Sequence, residues 1–178
     1  IEPILTNIQG ISKRKFLVVG NTILEEMTFY EKTIQNSTDE EPSVSVDERD
    51  LFTIIYTSGT TGFPKGAAIS HRARVLFFLI TALEWEISDH DINLNVVPLY
   101  HAGGLAVALE AIYIGGASCI MESFEPRQCL EIIERERTTW SFFVPTMFTM
   151  ILNLPEEERK KYDVSSMRVL ISGGAPLL

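Results

Sequence analysis

Basic residues are scarce in this 178-residue chain: 15 lysines and arginines face 24 aspartates and glutamates, a formal net charge of -9. That deficit argues against a general nucleic-acid-binding surface, which needs a basic excess. It does not argue against a nucleotide, because a local loop of backbone amides binds phosphate inside an acidic protein. Cysteine is scarcer still. Cys119 and Cys129 form neither a CxxC pair nor a metal-ligand cluster, and are expected to be buried or half-buried thiols of a reducing compartment. The histidines His71, His90 and His101 are scattered and make no HExxH-like zinc pattern. The most apolar run, Val75 to Leu83, falls far short of the ~18 residues of a membrane span. No Met and basic segment of a secretory signal opens the chain, which starts Ile1-Glu2-Pro3; that start also hints at a missing true N-terminus. The expectation is a cytoplasmic chain without a transmembrane segment, with peripheral membrane contact and oligomeric state left open.

What is present is a globular composition, 46% apolar, enough for a real core. Residues 1–49 read as a leading strand, Lys15 to Gly20, a short helix, Thr28 to Gln35 with Thr28 as its N-cap, and an acidic linker, Asn36 to Arg49. From Asp50 the texture changes. Leu51 to Thr57 is β-branched and aromatic, a strand; Ala67 to Ser70 is a short returning strand, and Ser70 caps a helix to about Glu84. Strands are expected at Leu94–Val97, Ala117–Met121, Trp140–Val144 and Arg168–Ser172. Between them lie a buried helix, Ala102 to Ile114, an amphipathic one, Pro126 to Arg137, one begun by Pro145 that runs to Leu152, and a charged surface segment, Glu156 to Lys161. This alternation predicts a layered α/β domain with a largely parallel sheet flanked by helices. Ligands of such sheets gather beyond the carboxyl ends of the strands. The chain stops just after such an end, as expected of a chain cut within its active domain.

The strongest motif is Tyr56-Thr57-Ser58-Gly59-Thr60-Thr61-Gly62-Phe63-Pro64-Lys65-Gly66. Gly59, Gly62 and Gly66 permit backbone shapes that turn amides towards an anion. Thr57, Ser58, Thr60 and Thr61 add hydroxyl donors, Lys65 adds a positive charge for outer phosphates, and Pro64 stiffens the approach. It is not a Walker A loop, because Pro precedes the Lys and Gly follows it. A second segment, Pro98-Leu99-Tyr100-His101-Ala102-Gly103-Gly104, sets His101 at the mouth of the buried helix, where it could orient an anion or carboxylate. A third, Ser172-Gly173-Gly174-Ala175-Pro176, is a strand-to-turn junction. Trp85 and Trp140 read as packing residues, and the charges from Glu131 to Arg137 as a solvated helix face.

At this point the sequence resembles the acyl-adenylate-forming enzymes, which include acyl-CoA synthetases, peptide-synthetase adenylation domains and firefly luciferase. The match is specific from about Asp50 to Leu178 and loose before it. The resemblance implies a β-hairpin whose loop holds the β- and γ-phosphates of ATP through Thr57, Ser58, Gly59, Thr60, Thr61, Gly62 and Lys65. It places His101 beside the reacting carboxylate, with Val144, Pro145 and Thr146 on the acyl-pocket wall and Gly173, Gly174, Ala175 and Pro176 near the adenylate. The Pro-x-x-His segment tilts the resemblance towards CoA ligases. The implied reaction activates a small-molecule carboxylic acid, a medium- or long-chain fatty acid first and an aryl acid second, with ATP and coenzyme A. The Mg²⁺ ligand, the ribose-binding Asp and the adenylation Lys of the family are expected downstream of Leu178. Residues 50–178 are then part of the large N-terminal domain, with the C-terminal domain absent and little turnover expected of this stretch alone. A P-loop nucleotide hydrolase and a non-catalytic nucleotide-binding module stand as the alternatives from other classes.

Overall fold

The computed structural model describes residues 17–20, 27–57 and 63–176. The chain divides into two compact units, Ile1–Ser45 and Val46–Leu178. In the first, β1 (Leu17–Val18) pairs in parallel with β2 (Thr28–Phe29), and α1 (Tyr30–Gln35) follows. Thr28 therefore does not cap the helix. It pairs with Leu17, and Phe29 occupies the N-cap without a side-chain bond, because a β-branched and an aromatic residue in sequence favour strand pairing over the helix. Lys15 and Phe16, at the start of the expected first strand, lie outside the described residues.

In the second unit β3 (Leu51–Thr57) and β4 (Lys65–Ser70) form an antiparallel hairpin in which Thr57 faces Lys65. α2 (His71–Glu84) follows at once, and Ser70 Oγ accepts the Ala73 amide at 3.2 Å as its cap. Then come β5 (Ile92–Asn95), α3 (Ala102–Ile114), β6 (Ala117–Ile120), α4 (Pro126–Glu136), β7 (Trp140–Phe143), α5 (Pro145–Leu152), the short α6 (Glu156–Arg159) and β8 (Val169–Ser172). The sheet order is β6-β5-β7-β8 and all three pairings are parallel, so the expected layered α/β sheet flanked by helices is what forms. β5 sits two residues earlier than expected. Val96 and Val97 are buried in the core, but the chain has left the ladder there, ahead of Pro98, which has no N–H to donate.

Each face of the sheet carries its own core. On one, Cys129, Ile132 and Ile133 of α4 pack with Leu94, Met121 and Phe143; their spacing is the helical one read from the sequence. On the other, Ala82 of α2 and Val107 and Ala111 of α3 pack with Ile87 and Trp140. The Trp85 ring packs, inclined by 46°, with its centroid 6.3 Å from that of fully buried Trp140, so both tryptophans are packing residues. Cys119 is half-buried, Cys129 is buried, and both are free thiols. No helix of the described residues is long and apolar enough to cross a membrane.

Opposite ends of the sheet differ in character. At the amino ends, Asp91 just before β5 accepts from Thr139 Oγ1 (2.7 Å), the Ser88 amide (2.8 Å), the Ser88 hydroxyl (3.1 Å) and Arg168 Nη2 (2.9 Å). Arg168 also donates to the Glu86 carbonyl beyond α2. One buried carboxylate thus ties the starts of β5, β7 and β8 to the exit of α2. The carboxyl ends are left for the segments that the motifs singled out.

Candidate functional site

His101 follows the end of β5 and is the N-cap of α3: its Nδ1 accepts the Gly103 amide at 3.1 Å. A ring nitrogen that accepts carries no proton, so the neutral imidazole bears its hydrogen on Nε2. The ring lines a cleft of about 410 Å³ whose other wall is β3, from Thr53 to Thr57, with Tyr100, Ala102 and Leu105 completing it. The hairpin and His101, far apart in sequence, are thereby brought together. Lys65 pairs with Thr57 on the facing strand and is exposed, while Ser58, Gly59, Thr60, Thr61 and Gly62 lie outside the described residues. Gly66 is required for close packing within the hairpin, because a Cβ there would meet Ile54 Cγ2 at 2.8 Å.

A second cleft, about 580 Å³, lies at the carboxyl ends of β7 and β8. Pro145, Thr146, Phe148, Thr149 and Leu152 of α5 face Ala175 and Pro176 across it. Two further segments named from the sequence therefore meet, although they come from different strands. Val144 is not in the cleft lining. It is the N-cap of α5, and its Cγ1 stands 3.6 Å from where a Cβ on Gly174 would be. Gly174 has φ +86° and Gly173 would place a Cβ 2.8 Å from the Phe142 ring, so this turn needs both glycines.

Phe142 was not singled out from the sequence, yet its ring stands between two of the site segments. Its Cε2 and Cζ lie against Gly173, and its Cε1 lies 3.5 Å from the Cβ position of Gly103. An apolar residue near the end of a strand gives little sign of such a place; only the strand order, β5 next to β7 next to β8, puts it there. Chemically, the two clefts offer different things. The first combines a hydroxyl, an imidazole N–H and a helix N-terminus, suited to anionic oxygens. The second is mostly apolar, with two threonine side chains in its lining. Among the described residues no group of three His, Cys, Asp or Glu side chains comes together to hold a metal.

The sequence model for the AMP-binding enzyme matches residues 3–178. A 4-coumarate–CoA ligase of Humulus lupulus is 32% identical over 162 residues, 85% of this chain and 28% of that protein. Feruloyl-CoA synthase of an Amycolatopsis species is 36% identical over 140 residues, 78% of this chain and 28% of that protein. Among solved structures, ATP-bound MatB from Rhodopseudomonas palustris superposes with a TM-score of 0.72 at 30% identity, covering 83% of this chain and 29% of that one. A protein of the same bacterium, provisionally named a long-chain-fatty-acid CoA ligase, superposes with a TM-score of 0.81 at 25% identity over 98% of this chain and 42% of that one. The chain thus spans under a third of the length of these curated relatives.

Proposed function

The chain belongs to the AMP-binding enzyme family, and from that membership we propose that it takes part in ATP-dependent activation of a carboxylic acid to an acyl-adenylate and then to a coenzyme A thioester. The observation that carries this reading is the cleft shared by Thr57 and His101 at the carboxyl ends of the sheet. In this scheme Lys65, Thr57, Ser58, Gly59, Thr60, Thr61 and Gly62 form the group that attracts and orients the outer phosphates of ATP. His101 donates from Nε2 to an oxygen of the acid. That oxygen attacks the α-phosphorus and pyrophosphate leaves; the coenzyme A thiol then attacks the acyl carbon and AMP leaves. Hydrogen-bond donors placed in advance where charge develops account for the acceleration. Gly173, Gly174, Ala175 and Pro176 border the adenylate, and Val144, Pro145 and Thr146 border the body of the acid. Mg²⁺, which would offset the charge of the ATP phosphates, is proposed as a further cofactor of the reaction.

The acid is proposed to be a medium- or long-chain fatty acid, in keeping with the largely apolar lining of the cleft between α5 and Pro176. An aryl acid is the second reading, and relatives that are 4-coumarate and feruloyl ligases at 32% and 36% identity favour it. Residues 50–178 are proposed to be part of the adenylate-forming domain. The deciding measurement is carboxylate-dependent ATP–pyrophosphate exchange by the natural gene product with octanoate, palmitate and a cinnamate-type acid. Lys65→Ala is expected to lower exchange by about 10²-fold, the scale of losing one charge-stabilising group. No exchange with any acid, from folded protein that still binds ATP, overturns the proposal.

A further inference from the structure

Glu110 is the lone charged residue of α3 and is fully buried, 0% exposed. Its Oε1 lies 2.8 Å from Thr81 Oγ1 of α2, and its Oε2 has no hydrogen-bond partner among the described residues. The Thr81 hydroxyl also lies 2.7 Å from the Phe77 carbonyl, one turn back in its own helix. A hydroxyl has one proton, and a carbonyl can only accept. With that proton given to Phe77, the 2.8 Å contact between two oxygens requires a proton from Glu110.

We infer that Glu110 stands in the folded chain as a neutral carboxylic acid that donates to Thr81, and that it is a positioning residue joining the two halves of the cleft. α2 continues directly from β4 of the phosphate hairpin, and α3 begins at His101. The Glu110–Thr81 bond is a polar tie between these two helices. Ionisation of Glu110 replaces a bond by two acceptor oxygens facing a hydroxyl already committed elsewhere, and a buried charge then has no compensation. The helices are expected to loosen, and with them the distance from hairpin to His101.

The surroundings offer no rescue. Arg74 of α2 is buried on the same helical face as Phe78 and Thr81, but its guanidinium lies over the rings of Phe52, Phe77 and Phe78. The ion pairs of the described residues include neither Arg74 nor Glu110. Glu84, one turn past Thr81, is exposed, as is Tyr113, one turn past Glu110. β5 and β7 carry no titratable side chain, and Cys119 of β6 packs on the opposite core. Burial pushes the Glu110 carboxyl up to about 7 from the usual 4.5, and the Thr81 contact opposes this only if the hydroxyl donates. An acid whose pKa is raised on folding loses stability as pH rises from its unfolded to its folded value. The relevance to catalysis rests on the proposed function, whereas the protonation state is read without it.

The test follows the ¹³C resonance of the Glu110 side-chain carboxyl in the full chain, assigned by its loss in Glu110→Gln. A midpoint near 7 is expected; one in the ordinary carboxylate range overturns the neutral acid. From pH 5 to pH 7 the unfolding constant of the wild type should rise about forty-fold relative to Glu110→Gln, by one-proton linkage between 4.5 and 7. A flat ratio overturns the inference as well. Glutamine can donate to Thr81 at every pH, so the variant should keep the amide protection factors of α3 at about pH 8.5 that the wild type loses. Protection that persists in the wild type while the carboxyl titrates overturns the joint between the helices.

Discussion

Asp91 is held down by more hydrogen-bond donors than any other carboxylate among the described residues. Burial pushes its carboxyl up, but the hydrogen bonds from Thr139, the Ser88 amide, Arg168 and the Ser88 hydroxyl outweigh it and leave the pKa at about 2, from 3.8. A depressed carboxylate pKa contributes stability that is present above 3.8 and lost as pH falls through about 2. The size is about 2 kcal/mol at neutral pH, since each tenfold change in proton affinity is worth about 1.4 kcal/mol. Asp91→Asn keeps the shape and discards the charge. It is expected to lower the unfolding free energy by about this amount at neutral pH, and the gap to the wild type should close as urea titrations move from about pH 4 to about pH 2. A gap that stays constant with pH would mean that the loss is one of packing and not of charge. Asp91 and Glu110 are thus opposite cases: one carboxylate surrounded by donors and ionised, the other given a single hydroxyl that has no proton to spare.

Among the elements, α3 has the most to say about how sequence and function connect. Its start is fixed by His101, whose one side chain both caps the helix and lines the cleft. These two duties separate by substitution. Asparagine is a good N-cap and alanine a poor one, a difference of about 1 kcal/mol. His101→Asn is therefore expected to unfold within about 0.5 kcal/mol of the wild type while losing most carboxylate-dependent exchange; His101→Ala should lose both. Equal exchange in His101→Asn and the wild type would leave the imidazole with no duty but the cap. The start of α5, the two ends of α3 and the body of β3 were legible because each is marked locally: Pro145 at the first, His101 and Gly115 at the second, a β-branched and aromatic run in the third. Thr28 was not legible, because whether it caps a helix or pairs with Leu17 depends on a partner strand further back in the chain. Phe142 and Glu110 were not legible for a related reason. Periodicity shows that a residue is buried, but not which side chain of another element it meets.

For the whole molecule, the parallel sheet separates a fastened end from an open one. Asp91, Thr139 and Arg168 fasten the amino ends, and motif residues gather at the carboxyl ends, where Thr57 and His101 line one cleft and Thr146, Ala175 and Pro176 another. The motif spacing singled out the candidate residues, but their grouping into two clefts follows from the strand order β6-β5-β7-β8, which no local signal encodes. This division predicts that the two ends fail in different ways. Thr146 is an exposed residue in the first turn of α5, at the wall of the larger cleft. Thr146→Trp should fill part of the roughly 580 Å³ there while leaving the core untouched, so unfolding is expected to change by under about 0.5 kcal/mol, as for surface substitutions. In ATP–pyrophosphate exchange its KM for palmitate should rise about tenfold or more, that for octanoate less, and that for ATP little. The tenfold corresponds to about 1.4 kcal/mol of lost contact, the scale of one or two displaced methylenes. Asp91→Asn, at the other end, should leave all three constants near the wild type at temperatures where it stays folded. If Thr146→Trp instead raises KM for ATP and spares both acids, the cleft between α5 and Pro176 belongs to the nucleotide and the acid must be sought beside His101.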